Sequence, residues 1–519
     1  MTMNYEQWKR MLSAVDKEEG LSKDNVIEKI KEKLKAENGE DEYKKWEEAG
    51  FNVNHLFETD DTLSSWFSCD KLTLLHLTAR NNLGNVADVL SKVEGIDVNA
   101  AAKNPKYTPL HIAALYDSEK VAGALLKAKE IDVNVATFFL PPLHLAIKFY
   151  SYKVVEVLCK ERPDIINAKN KDGDTPLHQA IFPPNEQAIC ILLKNGADVN
   201  VVNEYRNTPL HEAACGSNTD ILNILIRNGA SIDEVNKFGN TPLHQAVNHK
   251  REKVVNILIE NGANVNAIGK GGYAPLYLAV ENNHVGIVNS LLKREDIKVN
   301  IMDGDGDTPL YKAASKGYIK VVDTLLKAKG INVNVMNRDG DTPLYEAVFN
   351  GHIEVVDALL KAEGININAV HKPYLWTPLR LAAKNGHIDI VRALVEKGID
   401  LLLKDQNGKT PRDLAKNDDM KELLKEAEET QLRQLAIKRA TKNGIIAGCL
   451  TALLGAAAAV ALFATGTVAV ELIPIVIAVA AIAAAALAVS GITYMMLKPS
   501  TKIDEVEEEQ GITGDERKA

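Results

Sequence analysis

Residues 342–369 read TPLYEAVFNGHIEVVDALLKAEGININA, and residues 308–335 read TPLYKAASKGYIKVVDTLLKAKGINVNV. The opening tetrapeptide, Thr-Pro-Leu-His or a close variant, recurs eleven times, beginning at Thr73, Thr108, Pro141, Thr175, Thr208, Thr241, Ala274, Thr308, Thr342, Thr377 and Thr410. Successive copies stand 35, 33, 34, 33, 33, 33, 34, 34, 35 and 33 residues apart. A fixed period in this range means a solenoid of one supersecondary unit, each copy unable to bury its apolar face alone.

The residue types explain the unit. Thr offers a hydroxyl acceptor to the orphan amides of a first helix, and Pro follows where its missing N–H does no harm. Paired small residues such as Ala113 and Ala114 let two antiparallel helices approach, and a second helix carries a dense apolar stripe, as in Val254, Val255, Ile257, Leu258 and Ile259. Gly196, Gly229 and Gly262 end second helices, and Gly173, Gly239, Gly272, Gly306, Gly340 and Gly408, two residues before the Thr position, suit the tip turn of a protruding finger. Finger, TPLHxAA, GH turn, VVxxLL and closing VN together closely resemble the ankyrin repeat. The resemblance covers residues 73 to about 425 and implies an all-α solenoid of helix–turn–helix units with hairpin-like fingers.

The flanks differ. Trp8, Met11, Leu12 and Val15 share one helical face, as do Ile27, Ile30 and Leu34, and YKKWEEAGFNVN at 43–54 has the look of a degenerate repeat's end. Residues 1–54 are therefore expected to form an N-terminal helical cap, 55–72 an enlarged first finger holding Trp66 and Phe67, and 73–425 eleven repeats. Solenoid ends need such caps. In the last copy, TPRDLA at 410–415, Arg412 replaces the buried Leu, as suits a unit on which nothing further stacks.

A charged linker helix over 426–443 leads to residues 444–497, and from 445 to 497 there is one acidic residue, Glu471, and no basic one. As one helix these 53 residues would run to about 80 Å, against a hydrocarbon core of about 30 Å. Two transmembrane helices, 445–464 and 472–497, fit instead, with Glu471 at the turn between them, where a carboxylate avoids the roughly 3 kcal/mol charged at mid-bilayer. An intramembrane titrating Glu471 and a buried hairpin of a soluble protein are the competing readings. Against the second, no other stretch offers surface to cover so many apolar residues. Lys438, Arg439 and Lys442 before the first span and Lys498 and Lys502 after the second put both termini on the cytoplasmic side. Small residues such as Gly444 and Gly448 allow close packing or self-association of the hairpin, and the acidic tail 498–519 is expected to stay disordered.

Little here suggests chemistry. The net charge of −9 argues against a nucleic-acid footprint. Cys69, Cys159, Cys190, Cys215 and Cys449 are scattered without CxxC spacing, which favours reduced thiols over disulfides or zinc, and no secretory signal is visible. His76, His111, His144, His178, His211 and His244 recur at the fourth motif position, so they are expected to hydrogen-bond between neighbouring units rather than hold a metal or move protons. MDGDGD at 302–307 suggests calcium, but the twelfth position from Asp303 is Ala314, not the Glu an EF-hand loop needs. No enzyme activity and no cofactor is expected.

A protein-binding surface remains. The resemblance implies partners at the finger tips and the exposed face of the first helix. Those variable slots are rich in aromatics: Phe138 and Phe139 in the glycine-free finger VATFFLPP, then Tyr205, Phe238, Tyr374 and Trp376, with Phe149, Tyr150 and Tyr152 in the third interhelix region. Exposed aromatic clusters mark interfaces, although any single ring could instead pack on an adjacent finger. The expected function is a membrane-anchored adaptor. The KAKGINVN and KAEGININ phrasing, with this hairpin, also looks like ankyrin proteins of obligate intracellular bacteria, where host proteins are the partners. The rival is a pore-forming hairpin with the repeats as targeting module, against which stands the lack of a clear polar stripe.

Overall fold

The computed structural model describes residues 3–36, 39–58, 71–103, 106–135, 140–371 and 376–439. The chain divides into two compact units, Met1–Ile399 and Asp400–Ala519. In the first, the described residues form ten helix pairs, from Leu74–Asn81 with Gly84–Leu90 to Pro378–Asn385 with Ile388–Glu396. First helices pack on first helices of the next pair, and second on second. Helices this short are marginal alone, so stacking must supply their stability. The stripe of each second helix does so: Val254, Val255 and Leu258 are buried, as are Val321, Val322 and Leu325.

One polar arrangement starts five of these ten pairs. Thr208 sits in the extended N-cap conformation before Pro209. Its hydroxyl accepts from the His211 amide at 3.4 Å, and His211 Nδ1 accepts from the Thr208 amide at 3.1 Å. Nε2 lies 2.9 Å from the Asn240 carbonyl of the next unit. A carbonyl only accepts, so Nε2 carries the proton and Nδ1 is left free to accept. His76, His111, His178 and His244 repeat the link, to the carbonyls of Tyr107, Leu140, Asn207 and Tyr273 at 2.8, 3.2, 2.9 and 3.1 Å. The expectation of local bonding between units is met. His144 departs from it. Pro141 offers neither amide nor hydroxyl, so Nδ1 of this buried ring has no partner, while Nε2 still donates to Asp174 O at 3.0 Å. In the later units tyrosine takes the slot: Tyr277, Tyr311 and Tyr345 are buried there, and the amides of Tyr311 and Tyr345 donate to the hydroxyls of Thr308 and Thr342, each at 3.2 Å.

A second set of bonds ties the outer edge. Asn200 donates to Gly229 O at 3.1 Å and accepts from Ser231 N at 2.8 Å. Asn300 and Asn334 make the same pair of bonds one unit further on.

At the N-terminal end, helices Tyr5–Asp16, Val26–Ala36 and Glu40–Glu48 bury Trp8, Met11, Leu12, Val15 and Trp46 around Phe57, with ring centroids 4.8 Å (Trp8) and 5.5 Å (Trp46) from it. Asp16 accepts from the Val86 amide at 2.9 Å, and Tyr5 donates to Asn81 at 2.6 Å. The buried face of the second helix is Val26, Ile30 and Leu34 rather than one starting at Ile27, since steps of four keep those three in register. Phe57–Glu58 and Lys71–Leu72 form a two-residue antiparallel ribbon. Most of the enlarged finger, with Trp66 and Phe67, lies outside the described residues.

In the second unit, the last TPxxLA copy makes only a 3-10 turn, Arg412–Leu414, before a helix over 418–439 that buries Met420 and Leu424. Arg412 turns to Glu428 of that helix at 3.2 Å. Among the described residues no helix is long and apolar enough to cross a membrane. The expected spans 445–464 and 472–497, Glu471 and the tail lie outside them.

Burial lowers the pKa of His76, His111 and His144 from 6.5 to about 4. Between those values the unfolded chain takes up protons that the fold refuses. Stability is therefore complete above about pH 6.5 and is lost as pH falls through the window, by about 3 kcal/mol for each of the three rings. Urea midpoints recorded from pH 7 to pH 4.5 should fall steeply, and His111→Gln should flatten the slope.

Candidate protein-binding surface

Six of the described fingers are built on one Asn or Asp side chain. Asn236 Oδ1 accepts from the Phe238 amide at 2.9 Å and the Asn240 amide at 3.1 Å, closing a turn whose glycine, Gly239, has φ +71°. Asp303 does the same with Asp305 and Asp307, each at 2.9 Å, so the acidic run is a turn. Neighbouring fingers are bonded edge to edge: Lys237 N to Tyr205 O at 2.9 Å, Lys270 N to Phe238 O at 3.0 Å and Gly304 N to Gly271 O at 3.2 Å. The approach is close enough that a Cβ on Gly272 would stand 2.8 Å from Gly304 N, and its φ of +83° also favours glycine.

On this bonded row Tyr205 and Phe238 stand at adjacent tips, 55% and 45% exposed. Tyr107 lies in the same kind of slot but is only 4% exposed and stacks on His111 at 5.6 Å. Tyr273 is half-buried and stacks on Tyr277 at 5.1 Å. Trp376 is half-buried with Lys384 Nζ 4.3 Å above its ring. Phe149, Tyr150 and Tyr152 gather at the third interhelix turn. Tyr150 is exposed there at φ +58°, its ring 6.3 Å from that of the half-buried Tyr152, beside a half-buried Phe149. Phe138, Phe139 and Tyr374 lie outside the described residues. The structure thus gathers the described aromatics into finger tips and interhelix turns, at opposite ends of first helices about 10 Å long.

Two sets of exposed apolar residues escape a search confined to aromatics near the motif. Val235, Ile268, Met302, Met336 and Val370 are all exposed, one per finger over five consecutive units, each just before the residue whose amide bonds back across the finger: Asn236, Gly269, Asp303, Asn337 or His371. Their signal is the same period of 33 or 34 residues that defines the fold. Tyr116, Phe182 and Phe349 are exposed seven or eight residues after the motif's first position, at the interhelix turns. Among the described residues no group of His, Cys, Asp and Glu is placed to hold a metal ion. Burial raises the Cys159 and Cys215 pKa values to about 12, leaving both as neutral thiols at physiological pH.

A rigid repeat stack with apolar side chains displayed from its fingers and turns defines a protein-interaction solenoid. The family described as ankyrin repeats in three copies matches residues 49–137, 139–203, 184–269, 210–303 and 276–371, and that described as ankyrin repeats in many copies matches 360–415. The chain belongs to the ankyrin-repeat family. No curated protein matches it. Among solved structures it is similar to the ankyrin repeat domain of Bcl-3, titled a unique member of the IkappaB protein family, at 29% identity and a TM-score of 0.40, over 42% of this chain and 98% of that one.

Exposure separates display from packing. Tyr205→Ala and Phe238→Ala should change unfolding free energy by no more than about 0.5 kcal/mol. Tyr107→Ala should cost about 3–5 kcal/mol, and Leu258→Ala about 2–5 kcal/mol. Denaturant titration of the four variants checks the split.

Proposed function

We propose that the chain is an adaptor without catalytic activity, which captures protein partners on the aromatic residues of its fingers and interhelix turns. The observation that carries this is the pair Tyr205 and Phe238, exposed on adjacent fingers that a 2.9 Å backbone bond holds together. Bulky rings fixed on a rigid frame lose little entropy on binding, the property that makes aromatics dominate interface energetics. The third unit adds support. Pro141 leaves His144 with an orphaned buried nitrogen, a sacrifice of stability just after Phe138 and Phe139 in sequence.

The same proposal places the adaptor on a membrane through 445–464 and 472–497, with both termini cytoplasmic. Its basis is the run of 53 residues holding Glu471 as its one charge, flanked by Lys and Arg only outside. Its likeness in phrasing to ankyrin proteins of intracellular bacteria extends the proposal to host proteins as partners.

Capture of partners from host lysate by the full chain, followed by mass spectrometry, supplies the assay. Binding should survive deletion of 444–519. The double variant Tyr205→Ala, Phe238→Ala should bind about thirtyfold more weakly. A double variant that binds every captured partner normally would count against the surface. The full chain should also stay with membranes through carbonate extraction, whereas a chain ending at Asn443 should be soluble. Recovery of the full chain as a detergent-free soluble monomer would refute the anchor.

A further inference from the structure

The repeat rule is broken at two adjacent interhelix turns, and the breaks open a cavity. In the fourth unit the first helix, Pro176–Gln179, stops after four residues, against seven for Pro209–Cys215 in the fifth. Pro183 and Pro184 explain the stop, since neither can donate to a further helical turn. The chain is re-anchored by Asn185, buried, which donates to Ile147 O of the preceding unit at 2.9 Å and caps the next helix through Ala188 N at 3.1 Å. Phe182 is thereby left 48% exposed. Its ring lies over Gly216 of the fifth unit, where a Cβ would meet Phe182 Cζ at 3.6 Å.

Between the two turns lies a cavity of about 190 Å³. Ile181, Phe182, Pro184, Ala213 and Ile221 give it apolar walls, and Arg251 of the sixth unit stands at its edge. Arg251 donates through Nε to Cys215 O at 2.9 Å, which fixes the guanidinium plane, and no carboxylate among the described residues pairs with it. Of the acids in this region, Glu186 accepts from Asn218 at 3.1 Å, Glu212 accepts from Asn207 at 2.8 Å, and the Glu252 carboxylate lies against Gly286. Arg251 is the one charged residue among those that line the cavity. The volume is below the roughly 300–1,000 Å³ of small-molecule sites and suits one side chain. Tyr116 and Tyr150 are exposed at the turns of the second and third units, so apolar surface continues along this edge toward Phe182.

We propose that this cavity receives one aliphatic or aromatic side chain from an acidic segment of a protein partner, while Arg251 pairs with a carboxylate next to it. The proposal rests on the adaptor reading and names the chemistry of one partner segment. Apolar walls select the anchor, and the held guanidinium, with unengaged nitrogens in a fork, selects the neighbouring acid.

The test titrates the full chain, in mild detergent, with acetyl-Glu-Leu-Glu-amide, acetyl-Lys-Leu-Lys-amide and free leucine, following the Ile181 and Ile221 methyl resonances. The acidic peptide should shift both methyls saturably, and the basic peptide and free leucine should bind at least about tenfold more weakly. Arg251→Gln, on an exposed residue, should weaken the acidic peptide about five- to tenfold with the remaining methyl spectrum unchanged. Unmoved methyls, equal response to both peptides, an equal response to free leucine, or an unaffected Arg251→Gln variant would each overturn the proposal. If the methyls stay still while partner capture still depends on Tyr205 and Phe238, the pocket fails and the adaptor reading stands.

Discussion

The bond from a motif histidine to the carbonyl of the following unit holds two levels of structure together. One imidazole completes the cap of its own first helix through Nδ1 and reaches the next unit through Nε2, as His211 does with Thr208 and Asn240. Helix initiation and stacking thus share a single buried ring. The ring must stay neutral to serve both, because a protonated Nδ1 could no longer accept from the Thr amide. From the seventh to the ninth unit a buried tyrosine, Tyr277, Tyr311 or Tyr345, replaces it. The geometry of stacking survives a change in the chemistry that secures it.

With the frame secured in this way, departures from the pattern become informative. Pro141, the Pro183–Pro184 pair and Gly216 each break a local rule at a turn or finger while the apolar stripes of the same units stay intact. Arg412 is different in kind, since it ends the series and pairs with Glu428. The Pro183–Pro184 pair and Gly216 lie at the cavity and the exposed Phe182, where sequence under selection for binding is free to depart from the optimum for packing.

Most of the frame could be read from the sequence because each framework residue has one job that recurs with the period: Thr caps, Pro begins the helix, His links, Gly turns. The binding surface was less legible. Tyr107 and Tyr205 occupy equivalent slots, yet one stacks on His111 and the other faces solvent, and only the three-dimensional neighbourhood tells them apart. The apolar column from Val235 to Val370 was present in the period but carries no aromatic ring to draw notice. Val26 displaced Ile27 from the cap's buried face because two adjacent branched residues differ in helical phase by only 100°, too little for a short pattern to resolve. The cavity beside Phe182 depends on how two irregular turns meet, which no periodic pattern encodes.

The ladder through Asn200, Asn300 and Asn334, like the histidine link, uses donors and acceptors from two adjoining units only. No bond in either set requires a unit to know its position in the series. Duplication or excision of a whole cassette of 33 to 35 residues, cut at equivalent points, would therefore leave these two sets of bonds intact in the units that carry them. The length of the array is then a heritable variable almost uncoupled from foldability, open to recombination between near-identical segments such as 308–335 and 342–369. What such an exchange would alter is the order in which displayed side chains follow one another along the row, and so which partners the row accepts.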